Sequence, residues 1–193
     1  MKFNDHWQLQ GKHAFLGASK WHWINYDPDK VLISYQNWEA VERGTKLHEL
    51  AANMIKFKVK AQKSKQTFNT YVNDAITMDL KPEVVLYYSD NVFGTADAIR
   101  FDERNRFLRI HDLKTGSTPA HMEQLLIYAA LFCLEYHIDP MQIQIELRIY
   151  QSNQVMICNL ESDANLQIEV KDIMNKIRDF DRILSEYQES ERA

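Results

Sequence analysis

The sequence predicts an α/β fold, a mixed central β-sheet flanked by helices. Three observations predict it. Apolar residues recur at helical spacing early and late in the chain, two blocks between them switch to runs of strand type bounded by turn residues, and one strongly apolar helix separates those blocks. With 193 residues, 45% hydrophobic and 26% charged, a single domain spanning residues 1–193 with a substantial core is expected. Five glycines and four prolines are too few for a linker-rich or disordered chain.

Element by element, "GASKWHWI" reads as a short helix start with Ser19 as its cap, and "NYDPDK" as a loop. From about 36 to 61, Trp38, Val41, Leu47, Leu50, Ala51, Met54 and Ile55 follow helical period, with Gly44 as a weak point. A second helical stretch covers about 66 to 79. The pattern then changes to strands at 83–89, 92–101 and 107–113, the last two joined by the turn "DERNR". "HMEQLLIYAALFCLEYH", about 121 to 137, is a strong helix. Two more strands, 142–150 and 154–160, meet at "QSN", and an amphipathic helix from about 163 to 188 closes the chain.

Several function classes are excluded or disfavoured. The longest apolar run, "LLIYAALFCL", is too short to cross a bilayer, and "MKFNDHWQLQGKH" lacks the apolar stretch of a signal peptide, so a cytoplasmic protein is expected. Cys133 and Cys158 have no CxxC spacing and read as buried small hydrophobes. A net charge of −4 says nothing in favour of nucleic acid by itself. The charge is uneven, however: "KFKVKAQKSK", residues 56–65, holds five lysines and no acid, which gains meaning only beside a reactive site. Trp21, Trp23 and Trp38 read first as core and second as stacking platforms for unpaired bases.

The chemistry concentrates in "RIHDLKTG", residues 109–116. Asp112 and Lys114 alternate along a strand and so share a face. The D/E-x-K pattern alone is cheap, and it recurs as "EVK", 169–171, in the closing helix. Context distinguishes "DLK". Asp97 lies on the preceding strand in "GTADAIRF", after Gly94, which lets backbone approach closely, and a hairpin through "DERNR" brings Asp97 beside Asp112. Two carboxylates on adjacent strands make an oxygen-rich site suited to Mg²⁺ or Mn²⁺. A lysine beside them can position a water and stabilise charge on phosphate, which is the chemistry of phosphodiester hydrolysis. The plainer alternative is a cross-strand Asp–Lys pair on a solvated face. Gln124 and Tyr128, at i and i+4, put a polar pair on one face of the following helix, and His48 lies on the upstream helix. Glu83, at the start of the first strand, reads chiefly as a strand end, with a lesser reading as a further acid near a metal.

Taken in order, "GTKLHELA", "GTADAIRF", "HDLKTG" and "EQLLIYAA" resemble the motifs of the RecB-type branch of the PD-(D/E)XK nuclease superfamily: a helical histidine, G-x-x-D, (D/E)-x-K, then Q-x-x-x-Y. "HAFLGASKWHWIN" is similar to the opening of phage-encoded members, so the resemblance covers roughly residues 13–136. It implies a restriction-endonuclease-like core, with His48, Asp97, Asp112 and the Leu113 carbonyl as ligands of Mg²⁺ or Mn²⁺. It also implies Lys114 as the catalytic lysine, and Gln124 and Tyr128 as supports for DNA binding and for orienting the active-site groups. Two cysteines cannot hold the iron–sulfur cluster of some relatives, and no P-loop of a fused helicase is present.

The expected function is therefore a metal-dependent DNA exonuclease of phage or prophage recombination type, acting in a bacterial host cell. DNA is its partner. A single-strand annealing protein and a homo-oligomeric assembly are implied by the resemblance alone. The alternatives are an endonuclease of the same fold and a non-catalytic DNA-binding module. On the leading reading, the acids sit on the sheet edge, and the lysine run lies on the His48 helix and tracks the DNA backbone.

Overall fold

The computed structural model describes residues 14–191, apart from the side chains of residues 19–21. Residues 1–13, on which the signal-peptide reading rests, lie outside the described residues, as does His13 at the start of the phage-like segment. The chain divides after Lys46 into two compact units.

In the first unit, a 3-10 helix spans Ala18–Asn25, and Gly17, not Ser19, takes the N-cap position. The Trp23 indole N–H donates to the Gly17 carbonyl at 3.0 Å. Helix α1, Pro28–Lys56, begins eight residues earlier than its apolar period suggests. The reason is "DP": Asp27 Oδ1 accepts from the Lys30 N–H at 2.8 Å, and Pro28 sits in the first turn, where its missing N–H costs nothing. The segment read as a loop is a helix start. Phe15, Tyr35 and Trp38 form an aromatic cluster with ring centroids 5.1–5.9 Å apart. Trp38 thus has packing partners, while the Trp21 side chain lies outside the description.

The second unit takes the last turns of α1, then α2 (Thr67–Thr77), β1 (Lys81–Ser89), β2 (Val92–Asp102), β3 (Phe107–Leu113), α3 (Glu123–Glu135), β4 (Gln144–Gln151), β5 (Gln154–Asn159) and α4 (Leu166–Ser190). The five strands form one mixed sheet in the order β1-β2-β3-β4-β5. Only β3 and β4 pair in parallel, because α3 carries the chain across between them. The α/β class and the element order expected from sequence are both present. The two acids, however, are not at a sheet edge: β2 and β3 are interior strands, and the edges are β1 and β5.

Two cores sandwich the sheet. On one face Leu108, Ile110, Ile145 and Leu147 meet α3 and the first half of α4, through Leu125, Ala129, Val170 and Ile177. On the other, Ala98, Leu113 and Tyr150 meet Ala51 and Ile55 of α1 and Tyr71, Val72 and Ala75 of α2. Cys133 is buried in the first core, where desolvation pushes its thiol up to about 12, and Cys158 is half-buried. No helix among the described residues is long and apolar enough to cross a membrane.

Helix α1 stops at Lys56 rather than near 61. Lys58 adopts a left-handed backbone (φ 55°), the Val59 N–H reaches back to Met54 O at 2.8 Å, and the Lys58 N–H reaches Ile55 O at 3.1 Å. Helix α2 ends the same way at Asp79 (φ 56°), and the Lys58 ammonium pairs with the Asp79 carboxylate, so the two helix ends hold each other. The lysine run is consequently not helical: residues 57–66 form a connection between α1 and α2.

Beneath α2 lies a buried polar chain. The Tyr150 hydroxyl donates to Asp74 Oδ2 at 2.9 Å and meets His111 Nδ1 at 3.2 Å, which places the imidazole proton on Nδ1. His111 Nε2 is buried with no hydrogen-bond partner. Burial, aided by Arg148 and Arg109, pushes this histidine down to about 3. The unfolded chain takes up the proton near pH 6.5, so the stability associated with neutral His111 is complete above that pH. It is lost as pH falls toward 3, by up to roughly 1.4 kcal/mol per pH unit. Urea unfolding of wild type and His111→Gln between pH 7 and 4 is expected to show the steeper loss in wild type; equal slopes would contradict a neutral buried imidazole.

Candidate active site

The site forms where the β1–β2 ladder departs from regular geometry, beside the end of β3. The β2–β3 register pairs Ala98 with His111, which sets Asp97 beside Asp112 at the next position. The β1–β2 ladder skips Glu83 and Asp97, and Glu83 has φ 50°, a left-handed conformation that a non-glycine residue holds only at a cost. Strict alternation fails here. Ala96 and Ile99, three residues apart, both belong to the α3-side core, whereas Ala98 belongs to the other. The local irregularity gathers side chains that a flat ladder would send to opposite faces.

Asp97 Oδ2 accepts the Leu113 N–H at 2.9 Å and lies 3.3 Å from His48 Nδ1 on α1. The hydrogen bond to Asp97 raises the His48 pKa against the opposing effect of burial. Burial and then the Asp97 charge raise Glu83. One ligand atom from each of His48, Glu83 and Asp97 lies within 4.8 Å of the others, close enough to hold one metal ion; this trio was found among the described residues. Imidazole nitrogen and carboxylate oxygen suit hard and borderline divalent cations.

Asp112 is 2% exposed, and burial first, then the Asp97 charge, raises its pKa against the opposing pull of Lys114. Lys114 Nζ lies 3.1 Å from Asp112 Oδ1, a hydrogen bond, and 2.9 Å from Oδ2, which is buried without hydrogen-bond geometry. Asp112 thus pairs with the ammonium and stands outside the trio of ligand atoms. Lys114 itself is fixed past the end of β3 because its N–H donates to Tyr150 O at 2.9 Å. Its ammonium also donates to Gln124 Oε1 at 2.6 Å, and Gln124 Nε2 donates to the Tyr128 hydroxyl at 3.0 Å. Of the ammonium's three N–H groups, two are engaged by Asp112 and Gln124, leaving one for an incoming ligand. Lys114, Thr115, Gly116 and Ser117 line a groove of about 340 Å³ with Leu47 and Thr67 across from them.

The residues singled out from sequence meet. His48 and the Leu113 N–H meet at Asp97, and Asp112, Gln124 and Tyr128 are linked through Lys114; the two groups adjoin where Asp112, Leu113 and Lys114 follow one another in the chain, and Leu113 takes part through its N–H. Glu83, read chiefly as a strand end, belongs to the trio; its left-handed backbone leaves no trace in residue type. Tyr71 and His111 carry no motif that would single them out. Tyr71 is 2% exposed, and burial followed by the charges of Asp97, Asp112 and Glu83 raises its pKa well above the usual value, which marks it as a neighbour of the acids. A further "DLK", Asp79–Lys81, has the pattern without the role, since Asp79 is occupied in pairing the ends of α1 and α2. Gly94 of "GTAD" serves the site: a Cβ there would come within 2.9 Å of Tyr128 Cε1.

No family model, curated protein or solved structure matches this chain. The functional reading therefore rests on the residues and their geometry.

Gly94→Ala is expected to destabilise the fold by about 1–3 kcal/mol through overpacking against the Tyr128 ring. The same change in a Tyr128→Ala background is expected to cost little. Urea denaturation of the four proteins checks this, and strictly additive losses would contradict the contact.

Proposed function

We propose that this chain is a metal-dependent deoxyribonuclease with a restriction-endonuclease-like core of the PD-(D/E)XK type, acting as an exonuclease in phage or prophage DNA processing. The observation that carries the reading is the arrangement of Lys114, held by Asp112 and Gln124 beside the His48–Glu83–Asp97 trio. An ordinary surface ion pair has no need of a buried carboxylate, a second partner for the ammonium and a further pair of carboxylates within reach.

His48, Glu83 and Asp97, joined by Asp112 Oδ2 and the Leu113 carbonyl, would hold the ion. Mg²⁺ or Mn²⁺ bound there supplies Lewis acidity, lowering the pKa of a bound water and offsetting charge on the phosphate. The chain's own residues do the rest. Lys114 Nζ points its remaining N–H at a phosphate oxygen or the attacking water, and Asp112 keeps that ammonium oriented. Gln124 accepts from Nζ and so limits its rotation, and Tyr128, seated against Gly94, fixes Gln124 in turn. Asp97, pinned by the Leu113 N–H, presents its carboxylate in one orientation. Preorganised groups of this kind act without reorganising during reaction.

The test is degradation of end-labelled linear and covalently closed circular DNA with Mg²⁺, Mn²⁺ or EDTA. Wild type is expected to degrade the linear form alone and only with metal, and Lys114→Ala to lose at least roughly 100-fold of that rate, on the order expected for one charge-stabilising group. Cleavage of the circle would move the reading to an endonuclease. No cleavage under either metal would contradict it.

A further inference from the structure

The lysine-rich connection between α1 and α2 is a built structure. Asn73 Nδ2 donates to Ala61 O at 3.2 Å, and Asn69 Nδ2 donates to Gln62 O and to Ser64 Oγ, each at 2.9 Å. With Lys58 paired to Asp79 beyond the C-terminus of α2, these bonds lay residues 58–66 along α2 as a strap, running from that helix's end back to its start. Eleven residues of helix give the strap a length of roughly 16 Å. At its downstream end it enters Thr67, which lines the groove that also contains Lys114.

What the strap displays is unusual for a surface connection. Phe57 is 70% exposed and Val59 53% exposed, in a segment whose lysines 56, 58, 60, 63 and 65 are all exposed and which contains no acid. The Lys56 ammonium lies 5.8 Å from the centre of the Phe57 ring. Exposed aromatic surface interleaved with cations is the combination that single strands require, a ring for an unpaired base and ammonium groups for the phosphates. A duplex offers no unpaired base to such a ring. Two apolar side chains are a small face for insertion into a lipid surface.

We infer that the strap binds single-stranded nucleic acid continuing from the Lys114 groove, with phosphates on Lys60, Lys63 and Lys65 and a base stacked on Phe57. This rests on the reading of Lys114 as the phosphate-binding lysine of the site and gives that site its substrate class, a strand with an unpaired segment. Lys58 is left out of the phosphate set because Asp79 already engages it.

The test is fluorescence anisotropy in EDTA, with a labelled oligothymidylate and a blunt duplex of equal length as probes, across a salt series. Phe57→Ala is expected to weaken single-strand binding roughly 10-fold, to leave its salt slope unchanged and to spare the duplex. The combined Lys60→Glu, Lys63→Glu, Lys65→Glu variant is expected to flatten the single-strand salt slope by about 2, since each phosphate that a lysine neutralises adds about 0.7 to it. All four residues are exposed, and thermal melting verifies that the variants fold. Unchanged single-strand affinity in both variants would overturn the inference, as would equal weakening of duplex and single strand by Phe57→Ala. Loss of binding to anionic phospholipid vesicles with DNA affinity intact would overturn it in favour of a membrane surface. Because EDTA removes cleavage from the measurement, failure of the strap variants counts against the strap alone, and failure of metal-dependent cleavage in wild type counts against the nuclease reading alone.

Discussion

One carboxylate oxygen, Oδ2 of Asp97, joins three segments of the chain. It accepts a backbone N–H from the end of β3, meets an imidazole nitrogen from α1, and belongs to a side chain on β2. The rest of the site is placed relative to it. The Leu113 N–H fixes the spacing of β2 and β3 where their ladder ends, which puts Asp112 alongside. The His48 contact draws the last turns of α1 over the sheet. The electrostatic consequence is a concentration of negative charge in a partly desolvated place: Glu83 and Asp112 both have raised pKa values, with burial as the leading cause and Asp97 as the next. Such a cluster is costly while it lacks a cation, and a bound cation would offset that cost.

Lys114 is held from the other direction. Its backbone N–H is taken by Tyr150 O, and the side chain of that same tyrosine closes the Asp74–Tyr150–His111 chain under α2. Tyr150 therefore links the α2 face of the sheet to the backbone of Lys114, whose ammonium reaches Gln124 of α3. The coupling explains a buried histidine that touches neither Asp97 nor Lys114: it braces the strand whose next residue is Asp112. The gain in orientation is set against an unpartnered Nε2 and the desolvation of the imidazole.

The strands, the apolar α3 and the amphipathic start of α4 are legible because burial enforces period, and period is what residue type records. The spacing of Asp112 and Lys114 and of Gln124 and Tyr128 is legible for the same reason, since strand alternation and the i, i+4 relation of a helix translate directly into shared faces, whereas Asp97 lies where alternation along β2 fails. Chain reversals are not. Helices α1, α2 and α3 are followed by Lys58, Asp79 and His137 in left-handed conformation, positions where glycine is the usual marker, and with only five glycines the chain offers none there. The start of α1 is hidden because Asp27 and Pro28 read equally well as turn residues and as a cap with a first-turn proline. Glu83 reads as a strand end because its place in the site depends on a backbone conformation that no periodicity encodes. The lysine run is expected on a helix that in fact ends at its first residue.

The central claim is that Asp97 organises a metal centre. Mn²⁺ binding followed by electron paramagnetic resonance, without DNA, tests it most directly. The account predicts saturable binding in wild type, loss of that binding in Asp97→Asn, and its retention in Lys114→Ala, whose ammonium approaches the acids without serving as a ligand. Binding that is absent from wild type, or equal in Asp97→Asn, would contradict it.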